Sequence, residues 1–393
     1  MKERDALAPT EELPEDAQLY TTQPSIFMDT TPESYPDGWT ECLVSPDAKA
    51  FILSQPEFPA PLLRPSALQY RLSPTPDKGL GLFCTAKIRA NDLILSERPL
   101  TLTPTSSSTR MRFLKELDAR EQYLAATHEW EKSLKFLFDR LYPDYQAAFM
   151  GLANSHKHDG SGLVGGIIRT NGLGVILPPN KYSLEEQQTR RKGVYSAVCK
   201  EISRVNHSCS PNTTAHFDVI TFSFQLFAVR DIAQGEELTL TYTDLKAPAE
   251  MRQSDLEPYG FHCTCSACAT SCTSDALRER SMTMQIDNID DGLLKLALLE
   301  EQGLESSGQY CKTLETVMEL YIGIGDADNA STCAKKLVNR RWSSLASGAK
   351  LYTSPLAIEK FHPLWKGGGN RDLERGADNL ECSFGGLELG QAE

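Results

Sequence analysis

Short runs of β-prone residues occur in two parts of the chain. The first part covers residues 70–102, where three such runs are separated by the turn-forming segments 76–79 and 89–92. The second part contains the stretches 213–217, 219–229 and 237–242. Because short strands bounded by turns favour hairpins and meanders, both parts predict small β-sheets.

A helical spacing of apolar residues occurs in two other parts. Between residues 106 and 150 they recur every three or four positions, which predicts a helical insert closed by Pro143. The glycine-rich segment 160–174 is predicted to be a connection, and the capping pattern at 183–186 predicts the start of a further helix. Beyond Thr273 the spacing predicts two to four amphipathic helices.

Sustained periodicity is lacking at both ends of the chain. Residues 1–67 are rich in Pro, Glu, Asp and Thr, so we expect a flexible leader. The glycine-rich start of residues 367–393 predicts a flexible tail. With strands in the middle of the chain and helices in the insert and near the end, the predicted fold class is α+β.

The composition narrows the classes of function. The 393 residues are 40% hydrophobic and 24% charged, which is typical of a globular protein. No apolar run reaches the ~18 residues of a spanning helix, and the acidic start fits no targeting peptide, so we expect an intracellular protein without a membrane partner. With 53 acidic and 40 basic residues, the net charge of −13 argues against direct nucleic-acid binding and favours a basic partner.

The cysteines are unevenly spread along the chain. Eleven are present, and Cys263, Cys265, Cys268 and Cys272 fall within one short stretch. Clustered thiols in a reducing compartment are typical of a metal site. Buried thiols without a metal are the other interpretation of the same cluster.

Four segments with distinctive sequences follow one another. They are KGLGLFCTA at 78–86, RVNHSCSPN at 204–212, GEELTLTYTD at 235–244 and CTCSAC at 263–268. In this order they resemble the SET-domain protein lysine methyltransferases, most closely the SMYD group and its fungal relatives. The resemblance covers residues 70–268 and implies a SET-type fold. The implied activity is transfer of a methyl group from S-adenosylmethionine to a lysine of a histone or another protein.

The resemblance also sets the predicted domain boundaries. They are a leader at 1–67, the N-terminal SET part at 68–105, the helical insert at 106–165, the catalytic SET part at 166–245, a post-SET zinc segment at 246–272, a helical domain at 273–366 and a tail at 367–393. Residues 106–150 contain no cysteine, so we expect this insert to lack the MYND finger that the SMYD group usually carries. We expect a monomer that resides in the nucleus or the cytoplasm.

The glycines of the first segment permit a close backbone approach, because Gly79 and Gly81 have no Cβ. Alone, this segment predicts only a hairpin turn, and an isolated Asn–His pair most often hydrogen-bonds within its own loop. The resemblance instead implies a site for the methyl donor S-adenosylmethionine. Its implied donor-binding residues are Lys78, Gly79, Leu80, Gly81, Leu82, Asn171, Asn206, His207, Tyr242 and Phe261.

Tyr242 ends a period-two run that includes Leu238 and Leu240. Periodicity alone predicts a core aromatic. The resemblance implies that its hydroxyl lies at the methyl-transfer centre and orients the amine, and that Tyr259 lines the lysine channel. A lysine amine, with a reference pKa of ~10.4, must lose a proton before attack, and an apolar channel and a nearby sulfonium both lower that pKa. No general base is assigned.

Three cysteines of the last segment fit a zinc site. Structural zinc takes four thiolate or imidazole ligands, and Cys263, Cys265 and Cys268 supply three of them. The resemblance implies that Cys209 is the fourth ligand. Cys272 is the alternative, since it would complete a site within the local cluster.

Two other classes of function remain open alongside the enzyme. One is a non-catalytic SET module that binds peptides or partner proteins. The other is an interaction scaffold stabilised by a metal, which shares only the fold. A module that neither binds the donor nor transfers methyl groups would belong to the non-enzymatic classes.

Overall fold

The computed structural model describes residues 17–105, 118–177, 193–343 and 345–365. Contacts divide the chain into two compact units. The first unit comprises the described parts of 1–207, 213–240 and 253–263. The second comprises 208–212, 241–252 and the described parts of 264–393.

The strands lie in the first unit, as far as the described residues go. They are β1 (Leu19–Gln23), β2 (Thr40–Val44), β3 (Tyr70–Pro74), β4 (Leu80–Cys84), β5 (Leu93–Glu97), β6 (Thr101–Pro104), β7 (Leu173–Ile176), β8 (Val194–Val198), β9 (Asn206–His207), β10 (Thr213–Asp218), β11 (Ser223–Ala228) and β12 (Thr239–Leu240).

Within the described ranges the strands form small sheets. The largest has the order β1-β2-β6-β8-β7, in which β2 and β6 are parallel and the other neighbours antiparallel. β10, β11 and β5 form an antiparallel sheet, β3 and β4 form a hairpin, and β9 and β12 form a two-residue parallel pair. Together with the helices described below, these sheets confirm the predicted α+β class.

Apart from the helix Pro46–Leu53, which precedes β3, the described helices lie in or next to the insert and in the C-terminal part of the chain. They are α1 (Pro46–Leu53), α2 (Ala119–Asp139), α3 (Pro143–Met150), α4 (Leu163–Asn171), α5 (Ala249–Leu256), α6 (Ser266–Ala269), α7 (Ser271–Thr283), α8 (Ile289–Glu301), α9 (Gly308–Gly323), α10 (Ala327–Asn339), α11 (Leu345–Ala349) and α12 (Pro355–Phe361). No helix in the described part of the chain is long and apolar enough to cross a membrane.

The expected leader at 1–67 is corrected from Leu19 onward. All five residues of β2 are buried, and β2 pairs with β6 inside the largest sheet. Because both faces of β2 are buried, its sequence does not alternate, and Glu41 is buried with a partner, since its carboxylate accepts a hydrogen bond from Arg140 Nε at 2.8 Å. Strands are predicted from an alternation of apolar and polar residues, and a buried polar residue such as Glu41 does not follow that pattern.

The insert is helical as predicted, with two corrections. Pro143 does not close the helical run but occupies the first turn of α3, where its missing N–H costs nothing. Residues 160–174 are not only a connection, because they contain α4. Glu131 accepts the Val164 and Gly165 N–H groups at 2.8 Å each, so the cap of α4 comes from a distant residue. The apolar positions at 111, 114 and 117 lie outside the described residues.

The later strands and helices differ from the prediction mainly in length. The stretch 213–217 is confirmed as β10, whereas 219–229 yields only β11 because residues 219–222 form the turn. The run 237–242 is extended over only two paired residues in β12. The predicted two to four amphipathic helices are α8, α9 and α10, and α7, α11 and α12 are three further helices in the described part of residues 271–361. The helix start at 183–186 and the tail at 367–393 lie outside the described residues.

The second unit has its own hydrophobic core. Leu299, Leu304, Val317, Ile322 and Leu337 are fully buried or nearly so. They come from α8, α9, α10 and the loop after α8. The helical stripes predicted from the sequence therefore bury their apolar faces against one another.

Candidate donor-binding and metal sites

The glycine segment forms the turn and second strand of the β3–β4 hairpin. Gly79 has φ +73°, a conformation that favours glycine, and its carbonyl accepts the Thr75 N–H at 2.7 Å. Gly81 lies opposite Ser73 in the ladder. A Cβ on Gly81 would lie 2.6 Å from Glu237 Oε1 and 2.7 Å from Asn206 Nδ2. Gly81 is therefore needed for close approach rather than for its turn geometry.

Asn206 is joined to this hairpin by its side chain. Its Nδ2 donates to Leu80 O at 3.2 Å and to Glu237 Oε1 at 2.7 Å. Glu237 Oε2 also lies 3.7 Å from Lys78 Nζ, so one carboxylate pairs with both residues. The sequence analysis named Lys78, Leu80 and Asn206 but missed Glu237, although it lies in the GEELTLTYTD segment.

His207 and Phe261 are neighbours in the first unit. His207 is 2% exposed and pairs with Leu240 in the parallel β9–β12 ladder. The ring centroids of His207 and Phe261 are 6.1 Å apart, and those of Phe261 and Tyr259 are 6.5 Å apart. Burial raises the pKa of the Tyr259 hydroxyl. Three predicted residues thus form one aromatic group.

The backbone of Leu82 links β4 to the segment before β12. The Leu238 N–H donates to Leu82 O at 2.7 Å, and the Leu82 side chain is fully buried. This bond ties β4 to the segment that leads into β12. The side chain of Leu82 therefore belongs to the core, and a role for its backbone in donor binding stays a prediction.

Asn171 is held by backbone groups of its own surroundings. It is 8% exposed, and its Nδ2 donates to Ala153 O and to Ile167 O at 2.7 Å each. Its carbonyl accepts the Ser203 hydroxyl at 2.9 Å, which links α4 to the segment before Asn206. None of these described contacts reaches the glycine hairpin, so a role for Asn171 in donor binding stays a prediction.

Tyr242 lies two residues beyond β12 and is partly exposed. The turn around it is fixed by its neighbours, since the Thr241 hydroxyl donates to Thr243 O at 2.7 Å and the Thr243 N–H donates to Thr241 Oγ1 at 3.2 Å. This backbone arrangement limits the directions open to the Tyr242 side chain. Its predicted catalytic role stays a prediction.

Glu97 supports the segment that carries Asn206, and no motif in the sequence indicated it. At the end of β5 its carboxylate accepts the Glu201 N–H at 3.0 Å and the Ile202 N–H at 2.6 Å. These N–H groups open the 3₁₀ turn at residues 202–204. Burial raises the pKa of Glu97 to about 7, against the effect of the N–H donors.

The cysteine cluster brings together four thiols. The Sγ atoms of Cys209, Cys263, Cys265 and Cys268 all lie within 4.8 Å of one another, and those of Cys209 and Cys268 are 3.5 Å apart. Tetrahedral Zn–S bonds of ~2.3 Å would place the sulfurs about 3.8 Å apart, so four thiolates around one ion fit this spacing. Cys272 is exposed and lies outside the group.

Local hydrogen bonds place two of these cysteines. The Gln253 side chain donates to Cys263 O at 2.8 Å and accepts the Cys263 N–H at 3.0 Å. Cys265 is the N-cap residue of α6, and its carbonyl accepts the Cys268 N–H at 3.0 Å. Because this turn joins residues three positions apart, it brings the side chains of Cys265 and Cys268 to the same side of the backbone.

Residues 79–243 match the SET domain family. The matched residues include Gly79, Gly81, Asn206, His207 and Tyr242. This confirms the resemblance over the part of the chain that carries these motifs. The cysteines at 263–268 lie beyond the matched residues.

Three lysine methyltransferases are similar to part of this chain. The chain is 29% identical over 201 residues to histone-lysine N-methyltransferase set5 of Schizosaccharomyces pombe, a match that covers 51% of this chain and 50% of that protein. It is 37% identical over 92 residues to human histone-lysine N-methyltransferase SMYD3, covering 23% of this chain and 21% of the relative. Human N-lysine methyltransferase SMYD2 is 34% identical over 95 residues, which cover 23% of this chain and 20% of that protein. The chain thus spans about half or less of the length of these relatives.

Proposed function

We propose that the chain is a protein-lysine N-methyltransferase that uses S-adenosylmethionine. The observation that carries the proposal is the junction of the glycine hairpin with the Asn206–His207 strand, made by Asn206 Nδ2, Leu80 O and Glu237 Oε1 inside a SET domain. The three relatives described above are all named as lysine methyltransferases, two of them for histones.

The residues of the hairpin fit a zwitterionic amino-acid end of the donor. Lys78 offers a cation, and Glu237 and Asn206 offer oxygen acceptors nearby. Phe261 and His207 offer aromatic faces against which a planar base packs. Gly79 and Gly81 keep side chains out of the approach, so the backbone from 78 to 82 lines the site.

Methyl transfer to an amine demands alignment, exclusion of water and a neutral nucleophile. The donor supplies an electrophilic methyl group on a sulfonium. In our proposal Tyr242 orients the amine, and Tyr259 walls an apolar channel that favours the neutral amine by disfavouring its charged form. No carboxylate or imidazole is required as a general base, because the proton can leave before the channel closes.

Zinc is the metal that the four thiols fit best, since all the ligands are soft sulfurs and their spacing suits a tetrahedron. Cys209, Cys263, Cys265 and Cys268 would hold it, and its contribution would be structural. Phe261 precedes Cys263 by two residues, so the fixed cysteine segment would also restrain the aromatic wall of the donor site.

The protein substrate is proposed to be basic. The net charge of −13 favours lysines in basic sequences at low ionic strength, and histone tails have that character. We further propose a monomer, without direct nucleic-acid or membrane contacts, in the nucleus or the cytoplasm. The alternative, a non-catalytic SET module, would bind such sequences without modifying them.

The first test is isothermal titration of the zinc-loaded protein with S-adenosylhomocysteine, followed by transfer of labelled methyl groups to histones. We expect about one site per chain, with affinity at least about tenfold weaker in His207→Ala because the buried imidazole next to Phe261 is lost. His216→Ala is the matched control, since this imidazole lies in the β10–β11 hairpin. Donor binding without transfer to any histone or peptide would favour the non-catalytic module, and absence of both would reject the proposal.

A glycine substitution tests the close approach at the hairpin. Gly81→Ala is expected to weaken S-adenosylhomocysteine binding about tenfold or more, because its Cβ would meet Glu237 Oε1 at 2.6 Å and Asn206 Nδ2 at 2.7 Å. Gly174→Ala is the control, since its Cβ would meet nothing within 4 Å. Equal donor affinity in the two variants would show that this junction does not shape the donor site.

A further inference from the structure

Two arginine side chains are fully buried in the second unit. Arg252, on α5, has no exposed surface, and Arg278, on α7, is 1% exposed. A guanidinium does not lose its proton in proteins, so both side chains are buried as cations. Burying a charge is costly unless hydrogen bonds and an opposite charge compensate it.

The contacts of Arg278 are all with neutral groups. Among the described residues they are Leu245 O at 2.7 Å, Cys209 O at 2.8 Å, Gln302 O at 2.9 Å, Ser210 Oγ at 3.1 Å and Ser274 Oγ at 3.2 Å. They satisfy the N–H donors of the guanidinium but supply no negative charge. Arg278 also fixes the backbone of Cys209 by holding its carbonyl.

The contacts of Arg252 are incomplete on the side of the cysteines. Its Nη1 donates to Ala247 O and lies 3.2 Å from Asp275 Oδ1, whereas its buried Nε and Nη2 have no nitrogen or oxygen acceptor in the described part of the chain. The same guanidinium interacts electrostatically with the sulfurs of Cys209 and Cys268. Asp275, whose side chain is 28% exposed, is the carboxylate in contact with Arg252, and it does not contact Arg278 in the described part of the chain.

A zinc ion bound by four thiolates has the charge that this region lacks. Two positive charges on the ion and four negative charges on the sulfurs leave the centre with a net charge of minus two. Two buried guanidinium groups beside it would bring the sum back to zero. One dianionic centre thus explains both why two Arg252 nitrogens lack a nitrogen or oxygen acceptor and why the contacts of Arg278 are all with neutral groups.

We propose that Arg252 and Arg278 balance the charge of the zinc centre and position Cys209 as its ligand. Arg252 acts on the sulfurs of Cys209 and Cys268, and Arg278 acts on the carbonyl of Cys209. The inference rests on the zinc assignment made under the proposed function and does not depend on methyl transfer.

The test is the rate at which the zinc-loaded full chain releases zinc to an excess of a colorimetric chelator. Arg252→Gln, which removes the charge and keeps a planar polar end, is expected to release zinc about ten to a hundred times faster. Arg252→Lys keeps the charge and should recover most of the retention. The control is Arg98→Gln, because Arg98 is also buried and donates to three carbonyls of the first unit.

The cobalt-loaded protein gives a second measurement. Loss of the cation beside the sulfurs should shift the thiolate-to-cobalt charge-transfer bands of Arg252→Gln to lower energy, whereas Arg98→Gln should leave them in place. If Arg252→Gln does not fold, Arg278→Gln is measured in its stead.

Three results would overturn the proposal. Wild-type release rates in folded Arg252→Gln would show that the arginine does not act on the metal. Equal release from Arg252→Lys and Arg252→Gln would show that charge is not the property that matters. A wild-type chain that retains no zinc would reject the zinc assignment, while titration with S-adenosylhomocysteine would still decide the donor site separately.

Discussion

Tyr242→Phe is expected to lower kcat for methyl transfer about a hundredfold while the affinity for S-adenosylhomocysteine stays at the wild-type value. The hydroxyl is the only group removed, and in the proposed mechanism it orients the amine rather than the donor. The measurement is single-turnover transfer to a saturating lysine substrate, together with titration of the donor product.

The matched control is Tyr195→Phe. Tyr195 is 3% exposed on β8 of the largest sheet. Its hydroxyl accepts the Ser45 N–H at 3.3 Å and lies 3.3 Å from Ser45 Oγ. This variant should lose some stability and keep its turnover. A rate for Tyr242→Phe within about threefold of the wild type would remove the hydroxyl from the mechanism.

Cys209→Ser is expected to weaken zinc retention at least about a hundredfold and to lower the melting temperature of the zinc-loaded protein. A ligand loss should exceed the ten- to hundredfold effect known for groups that only support a ligand, and metal binding energy contributes directly to folding. The measurements are zinc content after dialysis against a chelator and calorimetric melting with and without zinc.

Cys272→Ser is the matched control for this substitution. Cys272 is exposed and outside the group of four sulfurs, so its variant should retain one zinc per chain and melt with the wild type. The opposite pattern, with zinc lost from Cys272→Ser and kept by Cys209→Ser, would establish the local cluster as the site.

The sequence predicted those parts of the candidate site that depend on short segments. The glycine segment at 78–86, the Asn206–His207 pair and the cysteine turn are each encoded within ten residues, so their residue types and spacing carry the signal. Cys209 could be named only through the resemblance, because its partners come more than fifty residues later.

Residues that act through distant contacts could not be predicted in this way. Glu97 binds N–H groups more than a hundred positions away, and Arg278 binds the carbonyl of Cys209 from 69 positions away. Neither lies in a pattern of its own, since a glutamate in a strand or an arginine on a helix is ordinarily solvent-exposed. The buried strand β2 was missed for the related reason that Glu41 interrupts its apolar run.

The two-residue parallel pair of β9 and β12 has a consequence for how the chain folds. Joining His207 to Leu240 closes a long loop, and loop closure costs entropy before the contact repays it. Half of that loop is the β10–β11 hairpin, whose ladder from the Thr213–Ala228 pair inward forms locally. The Thr213 hydroxyl then donates to Thr239 O at 2.8 Å, which links the formed hairpin to β12. A preformed hairpin thus shortens the effective loop that the β9–β12 contact must close, and its early formation should speed the assembly of the candidate donor site.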